Sequence, residues 1–140
     1  MQAGVFAMAM AKEHPDKDGT PPLVFVVDDE SMLLDLAEMI LKPAGFEVRT
    51  FQDPRRAMAD FAAAKPPPNL VLTDYAMPGM NGLEVIRECR KLRPYQKIIL
   101  ISGTVDESIY ANTEIKPDSF LSKPYDPDIL LAAVRALAMD

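Results

Sequence analysis

The feature that most restricts this chain is an alternation. Short apolar runs of strand length are followed by longer stretches with helical spacing, and the pair repeats five times between residues 23 and 140. Leu23–Val27 (LVFVV) is a continuous apolar run rich in β-branched residues, the pattern of a strand buried on both faces. It stops at Asp28-Asp29-Glu30. Residues 31–42 then carry Leu33, Leu36, Ala37 and Ile40 at helical spacing until Pro43 ends them. Residues 46–51 read as a second strand. Asp53-Pro54 is an N-cap followed by proline at the first helical position, opening a helix to about Ala64 before Pro66-Pro67-Pro68.

Residues 70–73 predict a third strand, ending at Asp74. Asn81-Gly82 starts a helix with Leu83, Ile86 and Cys89 or Arg90 along it, closed near Pro94. Residues 97–101 predict a fourth strand, ending at Ser102-Gly103, and 106–112 a short helix limited by Pro117. Phe120-Leu121 is a short fifth strand. Asp126-Pro127 repeats the cap-plus-proline start and opens a last helix with Ile129, Leu130, Ala133, Val134 and Leu137. Strands alternating with helices imply an α/β fold, a doubly wound five-stranded parallel sheet with helices on both faces and right-handed crossovers.

At 140 residues with one cysteine, the chain has room for one domain, and Cys89 has no internal partner for a disulfide. Cys89 reads as a small apolar helix residue. The net charge of −6 argues against a protein whose main task is to grip phosphate backbones. No apolar run is long enough to cross a bilayer. Residues 1–10 are mildly apolar without a basic flank, unlike a secretory signal. Residues 11–22 are polar and end in Gly-Thr-Pro-Pro, so 1–22 is expected to be a flexible tail and 23–140 the folded domain. His14, the only histidine, reads as solvated. Absent targeting signals and paired cysteines fit a reducing cytoplasm.

Doubly wound parallel sheets bind ligands at the carboxyl ends of their strands. There this sequence gathers Asp28 and Asp29 from strand one, Asp74 from strand three, Ser102 from strand four, and Ser122 and Lys123 after strand five. Three carboxylates at one edge repel, and a divalent cation relieves that. Hard oxygen ligands with room for water suit Mg²⁺. Lys123 adds a compact positive charge and Ser102 a hydroxyl donor. Such a set suits attack by an aspartate on a phosphoryl group to give an aspartyl phosphate. Asp74, alone on the central strand, is the best nucleophile; Asp28 and Asp29 are then the metal carboxylates.

Asp28-Asp29 after an apolar strand, the segment Thr73-Asp74-Tyr75-Ala76-Met77-Pro78-Gly79-Met80-Asn81-Gly82, Ile101-Ser102-Gly103-Thr104, and Lys123-Pro124 together resemble a bacterial response-regulator receiver domain of the single-domain, CheY-like kind. The resemblance covers residues 23–140, with 46 positions from Asp28 to Asp74, 28 more to Ser102 and 21 more to Lys123. It implies a flavodoxin-like (βα)5 fold with strand order 2-1-3-4-5. It also implies Asp74 as phosphoacceptor; Asp29, Asp74 and the backbone carbonyl of Ala76 as direct Mg²⁺ ligands; and Asp28 acting largely through water. Lys123 would contact the phosphoryl group, and Lys123-Pro124 would be cis. Ser102 would move toward the phosphoryl oxygen and Phe120 would be the aromatic switch. Three positions depart from the common family pattern: Asn81 stands where aspartate is frequent, Ser102 where threonine is commoner, and Phe120 where tyrosine is frequent.

The resemblance implies a phosphorylation-dependent switch of a two-component system or phosphorelay, and not an enzyme. The phosphoryl group would come from a sensor histidine kinase or histidine phosphotransfer protein. The readout would be altered binding of a downstream protein or a phosphorylation-dependent dimer, without direct nucleic-acid contact or membrane insertion. With 22 residues outside the receiver, output is expected through protein contact or onward relay; the alternative is a receiver fragment of a larger regulator or hybrid kinase. Ala76 and Thr104, which would line the water approach, offer neither an acid nor an amide to orient a water, so slow self-dephosphorylation is expected. Competing readings fit less well. An aspartyl-phosphate phosphohydrolase usually carries Asp-x-Asp on its first strand, where this chain has Asp-Asp-Glu. A nucleotide or flavin binder needs a Gly- or Ser/Thr-rich loop there. A receiver that is never phosphorylated usually lacks one of these residues.

Overall fold

The structure is a computed structural model describing residues 19–103 and 113–139. Five strands form one parallel sheet: β1 (Leu23–Val27), β2 (Glu47–Phe51), β3 (Leu70–Asp74), β4 (Ile98–Ser102) and β5 (Ser119–Ser122), in the order β2-β1-β3-β4-β5. The described helices are α1 (Ser31–Leu41), α2 (Pro54–Ala63), α3 (Gly82–Leu92) and α4 (Pro127–Ala138). The expected fold class and strand order are those observed. Residues 1–18, which hold most of the expected tail and His14, the 106–112 helix and Thr104 lie outside the described residues.

Alternation along the strands divides the core. Val24, Val26, Leu70, Leu72, Ile99 and Ile101 point to one face, where Leu34, Ala37 and Leu41 of α1 meet Leu130, Val134 and Ala138 of α4. Phe25, Val27, Val71, Ile98 and Leu100 point to the other, under Ala57 and Phe61 of α2 and Val85, Ile86 and Cys89 of α3. Because both faces are covered, β1, β3 and β4 are buried at every residue, which explains their apolar runs; the exceptions are the buried polar residues Thr73 and Asp74 at the end of β3 and Ser102 at the end of β4. Phe25 anchors the second layer, with its ring 4.9 Å from Phe51 and 6.4 Å from Phe61.

The helix ends follow local chemistry. Asp53 and Asp126 accept backbone N–H bonds at the starts of α2 and α4, each ahead of a proline. Asn81 and Glu84 form a reciprocal capping box on α3. Two buried stripes are rotated from the sequence expectation. On α1 the buried line is Leu34, Ala37 and Leu41, with Leu33, Leu36 and Ile40 flanking it half-buried. On α4, Ile129 is exposed while Leu130, Val134 and Ala138 are buried. An apolar band wider than the contact line leaves the helix rotation to be fixed by tertiary packing. Pro22, expected in the tail, is buried, and its carbonyl accepts from Glu47 N–H at 2.9 Å, so the ladder begins just before β1.

A close backbone approach lies beneath the strand that carries Asp74. A Cβ added to Gly82 would sit 2.6 Å from the Asp74 carbonyl oxygen, 2.6 Å from Leu100 Cδ1 and 2.9 Å from Tyr75 Cα. Only glycine lets α3 start this close to β3, and Gly82 N–H donates to Tyr75 O at 2.8 Å. Replacing Gly82 with alanine should force α3 off β3 and cost about 1–3 kcal/mol of stability. A urea midpoint equal to that of the wild type would contradict this packing.

Candidate functional site

Backbone hydrogen bonds between neighbouring strands carry the polar residues to one edge. Asp28 N–H donates to Phe51 O at 3.0 Å, Tyr75 N–H to Ile101 O at 2.8 Å, and Lys123 N–H to Ser102 O at 2.8 Å. Asp74 is the last residue of β3 and pairs with Ile101, which places Ser102 one residue further along the adjacent strand. The bond between Lys123 and Pro124 is cis, as the resemblance implies; Lys65-Pro66 is also cis. Gly103 lies beside the lysine stem, where an added Cβ would come within 3.3 Å of Lys123 Cβ. Past the lysine, the buried Tyr125 hydroxyl donates to Leu33 O at 3.0 Å, tying the turn before α4 to α1.

Lys123 Nζ stands at the centre. It lies 3.1 Å from Asp28 Oδ2, 3.1 Å from Glu30 Oε1 and 3.2 Å from Asp74 Oδ1. Asp28 is 4% exposed, Asp74 5% and Ser102 2%, so the charges are withdrawn from bulk water. Asp28 Oδ1 accepts Glu30 N–H at 2.9 Å, which engages both oxygens of that carboxylate. Carboxylate oxygens of Asp28, Asp29 and Asp74 all lie within 4.8 Å of one another.

Burial, followed by the charge of Asp28, pushes the Asp74 carboxyl up to about 6 against the pull of Lys123. Burial also raises Asp28, opposed by the Glu30 N–H and Lys123. For Lys123, burial acts to lower the pKa, but its hydrogen bonds to Asp28 and Glu30 and the nearby carboxylate charges outweigh it, and the ammonium is held above the ordinary lysine range. The lysine is therefore a fixed positive charge near neutral pH. With Glu30 counted, four carboxylates surround this one ammonium and exceed it by three negative charges, an excess that a divalent cation would reduce. An all-oxygen, partly open donor set fits Mg²⁺.

The structure thus brings together Asp28, Asp29, Asp74 and Lys123, with Ser102 at the same sheet edge. Ala76 follows β3 in an exposed position. Phe120 is half-buried on β5, paired with Leu100 and packed against the α2–α3 layer. Sequence reasoning missed Glu30 as a partner of Lys123, although its place directly after Asp28-Asp29 at a strand end was a usable signal. Cys89 is buried, with its thiol pushed up to about 12 mainly by burial, which suits a packing role.

The family model for the response regulator receiver domain matches residues 24–135. The chain belongs to this family. Receiver domains are signalling switches of two-component response regulators and interact with histidine kinases. The probable transcriptional regulatory protein TcrX of Mycobacterium tuberculosis is 32% identical over 122 residues, covering 86% of this chain and 51% of that protein. The DNA-binding response regulator MtrA of Mycolicibacterium paratuberculosis is 32% identical over 113 residues, covering 81% of this chain and 49% of that protein. The chain spans about half the length of these curated relatives. Among solved structures, a receiver domain protein from Clostridium thermocellum superposes with a TM-score of 0.76 at 28% identity, covering 84% of this chain and 94% of that one. Among the described residues of this receiver, no helix is long and apolar enough to cross a membrane.

The raised carboxyl of Asp74 gives a signed pH dependence. Its ordinary value is 3.8, so between there and about 6 the folded receiver holds a proton that the unfolded chain releases. That contribution to stability is present at the acid end and is lost as pH rises through about 6, with a slope of at most about 1.4 kcal/mol per pH unit. Urea unfolding in chelator should show a larger gain from pH 7 to pH 5 in the wild type than in Asp74→Asn. Identical profiles would contradict the assignment.

Proposed function

We propose that Asp74 accepts a phosphoryl group from a sensor histidine kinase or histidine phosphotransfer protein in a Mg²⁺-dependent reaction, and that the phosphorylated receiver binds its partners differently. The observation that carries this reading is the buried Asp74 carboxylate held 3.2 Å from Lys123 Nζ, within a cluster whose carboxylates outnumber its one ammonium. Mg²⁺, when bound, supplies Lewis-acid stabilisation of the phosphoryl oxygens. Asp28, Asp29 and Asp74 are the side chains that would hold it, with the Ala76 carbonyl as a further oxygen.

Asp74 has the role of nucleophile. One carboxylate oxygen forms a bond to phosphorus while the phosphorus–nitrogen bond of the donor phosphohistidine breaks, and the imidazole leaves with the electron pair. Burial of Asp74 strengthens its interaction with Lys123, whose ammonium donates to a phosphoryl oxygen as charge builds on it. The Ser102 hydroxyl donates to a second phosphoryl oxygen, and Phe120 turns inward with it. Ser102 ends β4 opposite Ser122, and Phe120 lies on the adjacent β5 opposite Leu100, two positions back from that edge. The net charge of −6 supports output through protein contact, without direct nucleic-acid binding by the receiver, and its setting is taken as cytoplasmic.

The reaction stops at a covalent aspartyl phosphate, so the receiver is read as a switch and not as a turnover enzyme. Neither phosphohydrolysis nor nucleotide binding is favoured by the Asp-Asp-Glu sequence that ends β1. A second reading places this receiver in a longer regulator or a relay, and the length of the matched relatives favours it. There, phosphorylation would act on the attached output or on dimer formation.

Incubation with Mg²⁺ and acetyl phosphate should add the mass of one phosphoryl group. Asp74→Ala should abolish the gain and chelation should suppress it. A gain of equal size in Asp74→Ala would overturn the reading.

A further inference from the structure

Glu30 is the one member of the site cluster that the phosphoacceptor chemistry does not use. It is the N-cap residue of α1, yet its side chain makes no capping hydrogen bond to the helix. It reaches to Lys123 Nζ instead, at 3.1 Å. An ammonium group has three N–H donors. Here three carboxylates stand at 3.1, 3.1 and 3.2 Å from it: Asp28, Glu30 and Asp74. A phosphoryl oxygen that needs Lys123 must therefore displace one of the three.

Asp28 and Asp74 are buried, and stripping a buried carboxylate of its cation is costly. The side chain of Glu30 is 61% exposed, so water can replace the ammonium at its oxygens. Glu30 is the partner that can leave. Until it does, it holds Lys123 and sets a negative charge at the mouth of the pocket.

We infer that Glu30 is a positioning residue that restrains Lys123 in the unphosphorylated receiver and discriminates against small, highly charged phosphodonors. The inference rests on Asp74 being the phosphoacceptor. With acetyl phosphate, the Asp74 oxygen bonds to phosphorus, the bond to the acetyl oxygen breaks, and acetate leaves with the electron pair. With phosphoramidate, the phosphorus–nitrogen bond breaks and ammonia leaves. Acetyl phosphate is a dianion near neutral pH, whereas phosphoramidate carries a net charge of about one. A negative charge at Glu30 opposes the first donor more strongly than the second.

The test measures phosphorylation rates of wild type, Glu30→Gln and Glu30→Ala with both donors at low salt and fixed Mg²⁺. Glutamine keeps the shape of the side chain and removes the charge. Alanine removes the reach as well, and neither change deletes a helix cap. Both variants should react about tenfold faster than wild type with acetyl phosphate and about threefold faster with phosphoramidate. Added salt should narrow the gap between the donors. A change in packing alone would move both donors by the same factor. Rates that are unchanged, slower, or raised equally for both donors would overturn the inference while leaving Asp74 as phosphoacceptor. Failure of the wild type to be labelled at Asp74 by either donor would overturn the functional reading itself.

Discussion

The structure turns on the ammonium of Lys123, shared among Asp28, Glu30 and Asp74 at near-equal distances. Without that charge, Asp28 and Asp74 would face each other with little water to screen them, and one would have to be protonated. With it, both carboxylates can stay ionised near neutral pH inside the fold. Buried ion clusters of this kind are weak sources of stability, because desolvation offsets much of the attraction. Their retention is better explained by chemistry, and perturbed carboxyl groups at the mouth of an α/β sheet are where such chemistry is expected.

The rest of the fold serves to bring Lys123 to Asp74. The two residues are far apart in sequence, and three pieces of local structure close the distance. The β3–β4–β5 pairing aligns the strand ends. Gly82 lets α3 start against the backbone of Asp74 and Tyr75. Tyr125 binds the carbonyl of Leu33 across 92 positions, fixing the turn that presents the lysine. Each is a backbone or tertiary constraint, so the site's geometry is a property of the sheet and its connections.

Much of this was legible in the sequence, for a physical reason. Strands buried on both faces are apolar along most of their length, so a polar residue at the end of one marks a sharp break in the run. Asp28, Asp74 and Ser102 stand at those breaks, and Lys123 lies just past β5. The fold class and the gathering of these residues at one edge of the sheet followed from that contrast. What escaped sequence reading depends on rotation and reach. The buried stripe of α1 runs through Leu34 where Leu33 was expected, because a wide apolar band does not fix which line of residues meets the sheet. The close approach at Gly82 depends on where α3 packs. Glu30 reads as a solvated helix start until Lys123 arrives from the far end of the chain.

The central claim is that Asp74, and neither Asp28 nor Asp29, forms the covalent bond to phosphorus. Borohydride reduces an acyl phosphate to the corresponding alcohol and leaves free carboxylates alone. Reduction of the acetyl-phosphate-treated protein followed by peptide mass spectrometry therefore reads the acceptor directly. Homoserine at position 74 is the expected result. Homoserine at 28 or 29, or a phosphorylated protein with no reducible aspartate, would contradict the account.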